Sequence, residues 1–362
     1  MKEGEVRLLD LLPLSDENQT AIYYHLYHVS IDDLPPYEAL SYSWEMETLG
    51  HLPHPTIYID GQSLQIMPNL QAFLLQHRQD QDSPCRPIWI DAICINQNDF
   101  AERHQQVGLM SKLYIRLSRL IVWLGPEDED SKFVVETLKL AASNLTKGRS
   151  DILLLEVNKL LASKKYAGGG NYTVSFTAFL MRFCFSRSWV VQEYGLRANR
   201  DMVFKCGKLK LRSDEMDALD ALSPQRISSI GGPDIPASKE YSRGRVIWSA
   251  LRIARASGLE NRNYNNLLYW LSFFRGKFAT DPRINVYAAL GLAQRGGLST
   301  HSWTYDPSSL IIDYNASVQD VYSSLVKSIV KSTKRLNVLL ACSERLCHIS
   351  RSSVRDWSDL TL

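Results

Sequence analysis

The stretch "CFSRSWVVQEYGLRANRD", residues 184–201, sets Trp189 and Glu193 four positions apart in what otherwise reads as a buried helix. A carboxylate fixed in such a place stabilises positive charge that develops beside it. The plainer alternative is an ion pair with Arg197, four residues further on. That orientation is favourable, and on an exposed helix it is worth only ~0.2 to 0.5 kcal/mol. On this stretch alone, the ion pair is the more economical reading.

Other chemistry-bearing residues cluster at the ends of apolar runs. "YEALSYSW" (37–44) ends in Tyr42, Ser43 and Trp44, two aromatic rings flanking a hydroxyl. In "RPIWIDAICIN" (86–96), Asp91 and Asn96 weigh equally as ligand contacts and as caps of the following turn. Trp189 is read first as a core anchor. Glu102, next to Arg103 at the start of an amphipathic segment, fits a capping box behind Asp99. The acidic run "EDED" (127–130) precedes a helix and is expected to favour its N-terminus while staying solvated.

Several chemistries lack their residues. There is no G-x-S-x-G elbow, no P-loop and no G-x-G-x-x-G, and "AGGGN" (167–171) follows a lysine-bearing helical segment, as a linker does. "CSERLCH" (342–348) and His51 with His54 lack zinc spacing. No metal is expected.

The elements that must position these residues alternate in type. Short apolar runs at 37–44, 86–96 and 119–125 read as strands, the second as a nearly continuous strand buried on both faces. "TIYIDGQSLQIM" (56–67) reads as a hairpin turning at Asp60-Gly61. Helical spacing follows at 69–80, behind an Asn69 cap, and at 99–118. Segments 131–145 and 151–162 read as helices, 200–211 as one more strand, and the remainder as mostly helix. Alternating strand and helix predicts a parallel sheet.

Composition sets the outer bounds. The chain has 362 residues with 41 basic against 39 acidic side chains, so no electrostatic footprint points to nucleic acid or a membrane surface. The N-terminal apolar patch is broken by Asp10 and Pro13 and lacks the form of an export signal. No apolar run approaches the ~20 residues that span a bilayer. Six scattered cysteines predict a reduced, cytoplasmic protein.

Three segments, "YEALSYSWE", "IWIDAICINQNDFAERHQQVGLMSKLYIRLSRLIVWLG" and "SRSWVVQEYGLRA", together resemble the fungal HET domain, the heterokaryon-incompatibility module. "ATDPRINVYAALGLA" (279–293), "IIDYNASVQDVYSSL" (311–325) and "SVRDWS" (353–358) resemble segments that commonly follow it. Glu45 stands where the family usually has glycine. HET domains are in turn similar to TIR domains, flavodoxin-like signalling modules whose enzymatic members cleave nicotinamide dinucleotides. The essential glutamate of those enzymes lies in a W-x-x-x-E element, which falls here on Trp189 and Glu193.

The resemblance implies an α/β fold with a TIR-like, flavodoxin-like parallel sheet over residues 1–211, carrying a helical insertion at about 131–175. A mainly helical region, 212–362, would pack on it. It implies a signalling protein of non-self recognition and programmed cell death that hydrolyses the nicotinamide-ribose bond of NAD, with no cofactor. Glu193 would be catalytic, and Tyr42, Ser43, Trp44, Asp91, Asn96 and Trp189 would contact substrate at the carboxyl ends of the strands. Self-association and an unidentified protein trigger complete that expectation. The alternatives are a non-catalytic HET module signalling by protein contact, and an enzyme acting on another nucleotide or small molecule.

Overall fold

The structure, a computed structural model, describes residues 1–12, 22–44, 53–80, 86–148, 155–156, 172–196, 201–222, 248–249, 251–252, 267–274, 281–294, 313–334 and 338. Among them nine strands form one mixed sheet: β1 (Glu5–Leu11), β2 (Tyr23–Ser30), β3 (Glu38–Ser41), β4 (Thr56–Ile59), β5 (Gln62–Gln65), β6 (Ile88–Trp89), β7 (Arg119–Trp123), β8 (Met202–Cys206) and β9 (Leu209–Arg212). Their order across the sheet is β5-β4-β2-β1-β6-β3-β7-β8-β9.

The expected parallel sheet is present only in part: β6, β3, β7 and β8 run parallel at the centre, and β4 runs parallel to β2 on one flank. On the flanks, β1 runs antiparallel to both β2 and β6, and β4–β5 and β8–β9 are antiparallel pairs. For the β4–β5 and β8–β9 pairs the cause is local, because a tight turn can join only antiparallel neighbours. Asp60 (φ 49°) and Gly61 (φ 80°) both adopt left-handed backbone, as a two-residue hairpin turn demands, so the hairpin forms where its sequence predicts. The second turn, at Gly207 (φ 54°), splits the single strand expected at 200–211 into β8 and β9. β1 and β2 have no counterpart in the sequence reading.

The strand expected over 86–96 is also shorter than its apolar run. After Trp89 the chain turns into α2 (Asp91–Cys94). The Asp91 carboxylate accepts the Ala92 N–H at 2.7 Å, and the Cys94 N–H returns to the Ile90 carbonyl at 2.7 Å. These local bonds take the place of the ladder.

Helix starts follow their caps. α3 (Phe100–Arg116) begins where the Asp99 side chain accepts from the Ala101 and Glu102 N–H groups. α4 (Glu129–Thr146) begins at a capping box between Asp128 and Ser131, with Glu129 and Asp130 in its first turn. α1 (Pro68–Arg78) starts on Pro68, whose missing N–H costs a helix nothing at its first turn. Asn69 therefore lies inside α1 and caps nothing. The remaining described helices are α5 (Tyr172–Leu180), α6 (Phe183–Ser186), α7 (Ser188–Gly195), α8 (Ser213–Asp217), α9 (Leu267–Phe274), α10 (Arg283–Gln294) and α11 (Val318–Thr333). Beyond residue 222 the described residues contain helix and no strand. No described helix is long and apolar enough to cross a membrane.

Candidate functional site

β3 is buried along its whole length and ends at Ser41, so the chain leaves the centre of the sheet through Tyr42, Ser43 and Trp44. Asn69 of α1 ties this exit to the neighbouring strand. Its amide donates to the Ser43 carbonyl at 2.6 Å, and its oxygen accepts the Trp123 indole N–H at 2.9 Å. α7 lies against the same exit, since the Arg187 guanidinium at its start donates to the Tyr42 carbonyl.

Every residue of α7 is buried. Tyr194 packs on Phe204 of β8 and on Trp248, with ring centroids 6.0 and 5.8 Å apart. Glu193, only 5% exposed, faces Ser41 of β3 and Tyr114 of α3. Burial raises its carboxyl from the ordinary glutamate range to about 7; the Ser41 hydroxyl, the Arg187 charge and the Tyr114 hydroxyl pull it down, while Asp91 pushes it up. Ser41 Oγ, Tyr114 OH and Glu193 Oε2 are buried, and none makes a hydrogen bond of normal geometry. Three polar atoms of this kind in one place are unusual in a folded core.

Asp91 supplies a second carboxylate. It accepts the Trp44 indole N–H at 3.1 Å, and the Arg187 guanidinium lies 6.0 Å from the centre of the Trp44 ring. Burial raises the Asp91 carboxyl, and Arg187, the Trp44 indole and the Ala92 amide hold it back. Tyr42 is pushed well above its usual range by burial and by Asp91. The thiol of Cys184, also within reach of Glu193, is raised to about 12 by burial. It is inert as a nucleophile near neutral pH.

Of the seven residues singled out in the sequence, Glu193, Tyr42 and Asp91 thus share one electrostatic neighbourhood, with Trp44 on Asp91. Ser43 is buried at the strand exit, where its carbonyl binds Asn69. Trp189 is a core residue, 9% exposed. Asn96 is exposed, and its side chain accepts the Asn98 N–H at 3.1 Å, the turn-capping arrangement. Glu102 does not close the expected capping box; it accepts the Asn96 N–H at 2.5 Å and pairs with Arg7.

Ser41, Tyr114 and Arg187 were not singled out. Tyr114 is hidden in the sequence because it belongs to the apolar stripe of α3, and Arg187 stands in full view two residues before Trp189. The exposed Glu193–Arg197 pair does not suit a side chain as buried as Glu193, and Arg197 lies outside the described residues. So do Glu45, "AGGGN", His51, "CSERLCH" and 353–358. Among the described residues no cluster of three His, Cys, Asp or Glu side chains could hold a metal ion.

A second charged group lies beside the β8–β9 hairpin. Asp80 binds Lys205 at 2.6 Å and Lys210 at 2.5 Å. Burial alone would raise the Asp80 carboxyl, but the bonds and charges of the two lysines outweigh it and bring it to about 2. His77, buried next to them, is lowered to about 4 by burial and by Lys205.

Residues 37–193 match the family model described as "Heterokaryon incompatibility protein (HET)". This segment is a HET domain. It runs from the residue before β3 to Glu193 itself, and so contains Ser41, Asp91, Tyr114 and Arg187 as well. The chain is also 32% identical over 228 residues to "Heterokaryon incompatibility protein 6, OR allele" of Neurospora crassa. That match takes in 56% of this chain and 33% of the relative, so the chain spans about a third of the length of the curated relative. No solved structure matches. In this chain the HET domain contributes the parallel centre strands β6, β3 and β7, while β8 comes from beyond its end.

Proposed function

We propose that this HET domain protein acts in non-self recognition and programmed cell death by hydrolysing the nicotinamide-ribose bond of NAD, with Glu193 as the working carboxylate. The observation that carries the reading is a carboxyl buried at the exit of β3 and poised near pH 7. In chain order the parallel strands run 2-1-3-4 across the sheet, the flavodoxin-like order, and β3 borders its switch point. This supports the TIR-like reading.

Loss of nicotinamide builds positive charge at the anomeric carbon. An ionised Glu193 in a site of low dielectric stabilises that charge, and nicotinamide departs neutral without an acid. Arg187 offers a cation for the dinucleotide phosphates, and Trp44 an aromatic face for a ring. Self-association that opens or completes the site accounts for how so buried a carboxylate meets substrate.

The same burial, 5% exposure, favours a second reading in which the HET domain is a non-catalytic module signalling by protein contact. Incubating the full chain with NAD over a range of protein concentrations and following nicotinamide release separates the two. The expected result is release that rises more than linearly with protein concentration and is abolished in Glu193→Gln. Release that survives the substitution removes Glu193 from the chemistry, and absence of release at every concentration favours the contact module.

A further inference from the structure

We infer that α10 and the residues after it, outside the HET domain, form a brace that sets the spacing of α3 and α7, and that Gly291, Asn285 and Gln192 are positioning residues for Glu193. The inference rests on the reading of Glu193 as the working carboxylate. It begins with Gly291, which packs directly on the Gln192 side chain. A Cβ added there would lie 2.7 Å from Gln192 Cδ, closer than real Cβ atoms approach. Any side chain at 291 must therefore displace the Gln192 amide, while the backbone of Gly291 itself is ordinary helix.

Gln192 passes the contact on. Its amide donates to Ser111 of α3 at 3.2 Å. Ser111 and Tyr114 are three residues apart on α3, hence on one face, and Gln192 precedes Glu193. The line Gly291–Gln192–Ser111 thus fixes the separation of the two helices that carry Tyr114 and Glu193. Nearer the start of α7, the Ser188 hydroxyl bonds Asn285 of α10 at 2.5 Å.

The other end of α10 is anchored independently. Arg283 donates to the Tyr314 and Ala316 carbonyls at 2.6 and 2.7 Å, with Asp281 holding its guanidinium at 2.7 Å. The Tyr314 ring also contacts both guanidinium groups, with its centre 5.3 Å from that of Arg283 and 5.0 Å from that of Arg103 on α3. α10 is therefore joined to α3 at one end and to α7 along its length. The arrangement of Ser41 and Tyr114 around Glu193 depends on this packing, because it sets how closely α3 and α7 approach.

The test uses the full chain carrying Gly291→Ala, Gln192→Ala or both, with Ile57→Ala on the far edge of the sheet as a control for general destabilisation. The groups facing Glu193 are Ser41 and Tyr42 from the β3 exit, Asp91 from α2, Tyr114 from α3, and Arg187 and Cys184 ahead of α7. None of them is altered. The Glu193 titration midpoint is read from the ¹³C-carboxyl NMR signal, assigned by its loss in Glu193→Gln.

Gly291→Ala and Gln192→Ala are each expected to move the midpoint toward the ordinary glutamate range as water enters. They should also lower kcat for nicotinamide release about 100-fold with little change in KM. The double variant should be no worse than the worse single one, because both act through one contact, and Ile57→Ala should leave the midpoint in place. Folded Gly291→Ala and Gln192→Ala chains with an unmoved midpoint and native kcat overturn the brace. A midpoint that moves in a chain that never releases nicotinamide upholds the brace and removes the enzymatic reading.

Discussion

Above pH 7 Glu193 carries a negative charge that the core disfavours, and this makes the residue a source of instability as well as the candidate for chemistry. Between the ordinary glutamate range and about 7 the folded chain keeps a proton that the unfolded chain releases. Each rise in pH through that window therefore weakens the fold, and the loss, on the order of 3 kcal/mol, is complete above it. Glu193→Gln removes the titration, so urea midpoints of the variant and the native chain should diverge from pH 5 to 8, with the variant the more stable at pH 8. If the carboxylate is the working form, nicotinamide release should rise over the same window. Asn69 makes a different prediction. Asn69→Leu leaves the buried Trp123 N–H without its acceptor, which should cost about 1 to 3 kcal/mol by chemical denaturation. The sequence marks Asn69 only as a polar residue at a helix start, and its partners, Ser43 past the end of β3 and Trp123 of β7, are distant in the chain.

Among the elements, the β8–β9 hairpin depends on a buried charged group. Lys205 is 4% exposed and Asp80 is its ion-pair partner. Asp80→Asn leaves a buried ammonium with its carboxylate gone, and a loss of about 3 to 5 kcal/mol is expected in urea. The pH dependence has two parts. His77, lowered to about 4, stays neutral in the fold while the unfolded imidazole charges, so stability falls as pH drops from about 6.5 to 4. Asp80 contributes above its unfolded value, and that contribution is lost only as pH falls toward about 2. Hairpin β4–β5 and helices α3 and α4 are legible from turn and cap residues, because those signals act within a few positions. The abrupt end of β6 is not, since "IWIDAICIN" has the apolar content of a strand and only the Asp91 bonds turn it into helix.

For the whole molecule, the HET domain boundary and the sheet boundary do not coincide. Residues 37–193 contain β3, β6 and β7 but not β1, which pairs with β6, or β8, which pairs with β7. Produced alone, that segment would expose both edges of its parallel core. We expect it to aggregate in size-exclusion chromatography where the full chain does not. What the sequence by itself determined is what short-range chemistry decides: the α/β alternation, the caps and turns, the HET motifs, and Glu193 as a carboxylate out of keeping with its apolar surroundings. Tertiary structure alone decided that the sheet is mixed, that Ser41, Tyr114, Asp91 and Arg187 meet Glu193, and that α10 stands behind α7. Those outcomes depend on which distant segments pack together. Glu193 shows the difference, because its four-residue spacing to Arg197 was legible at once, whereas the burial that raises its carboxyl to about 7 exists only when β3, α3 and α7 close around it.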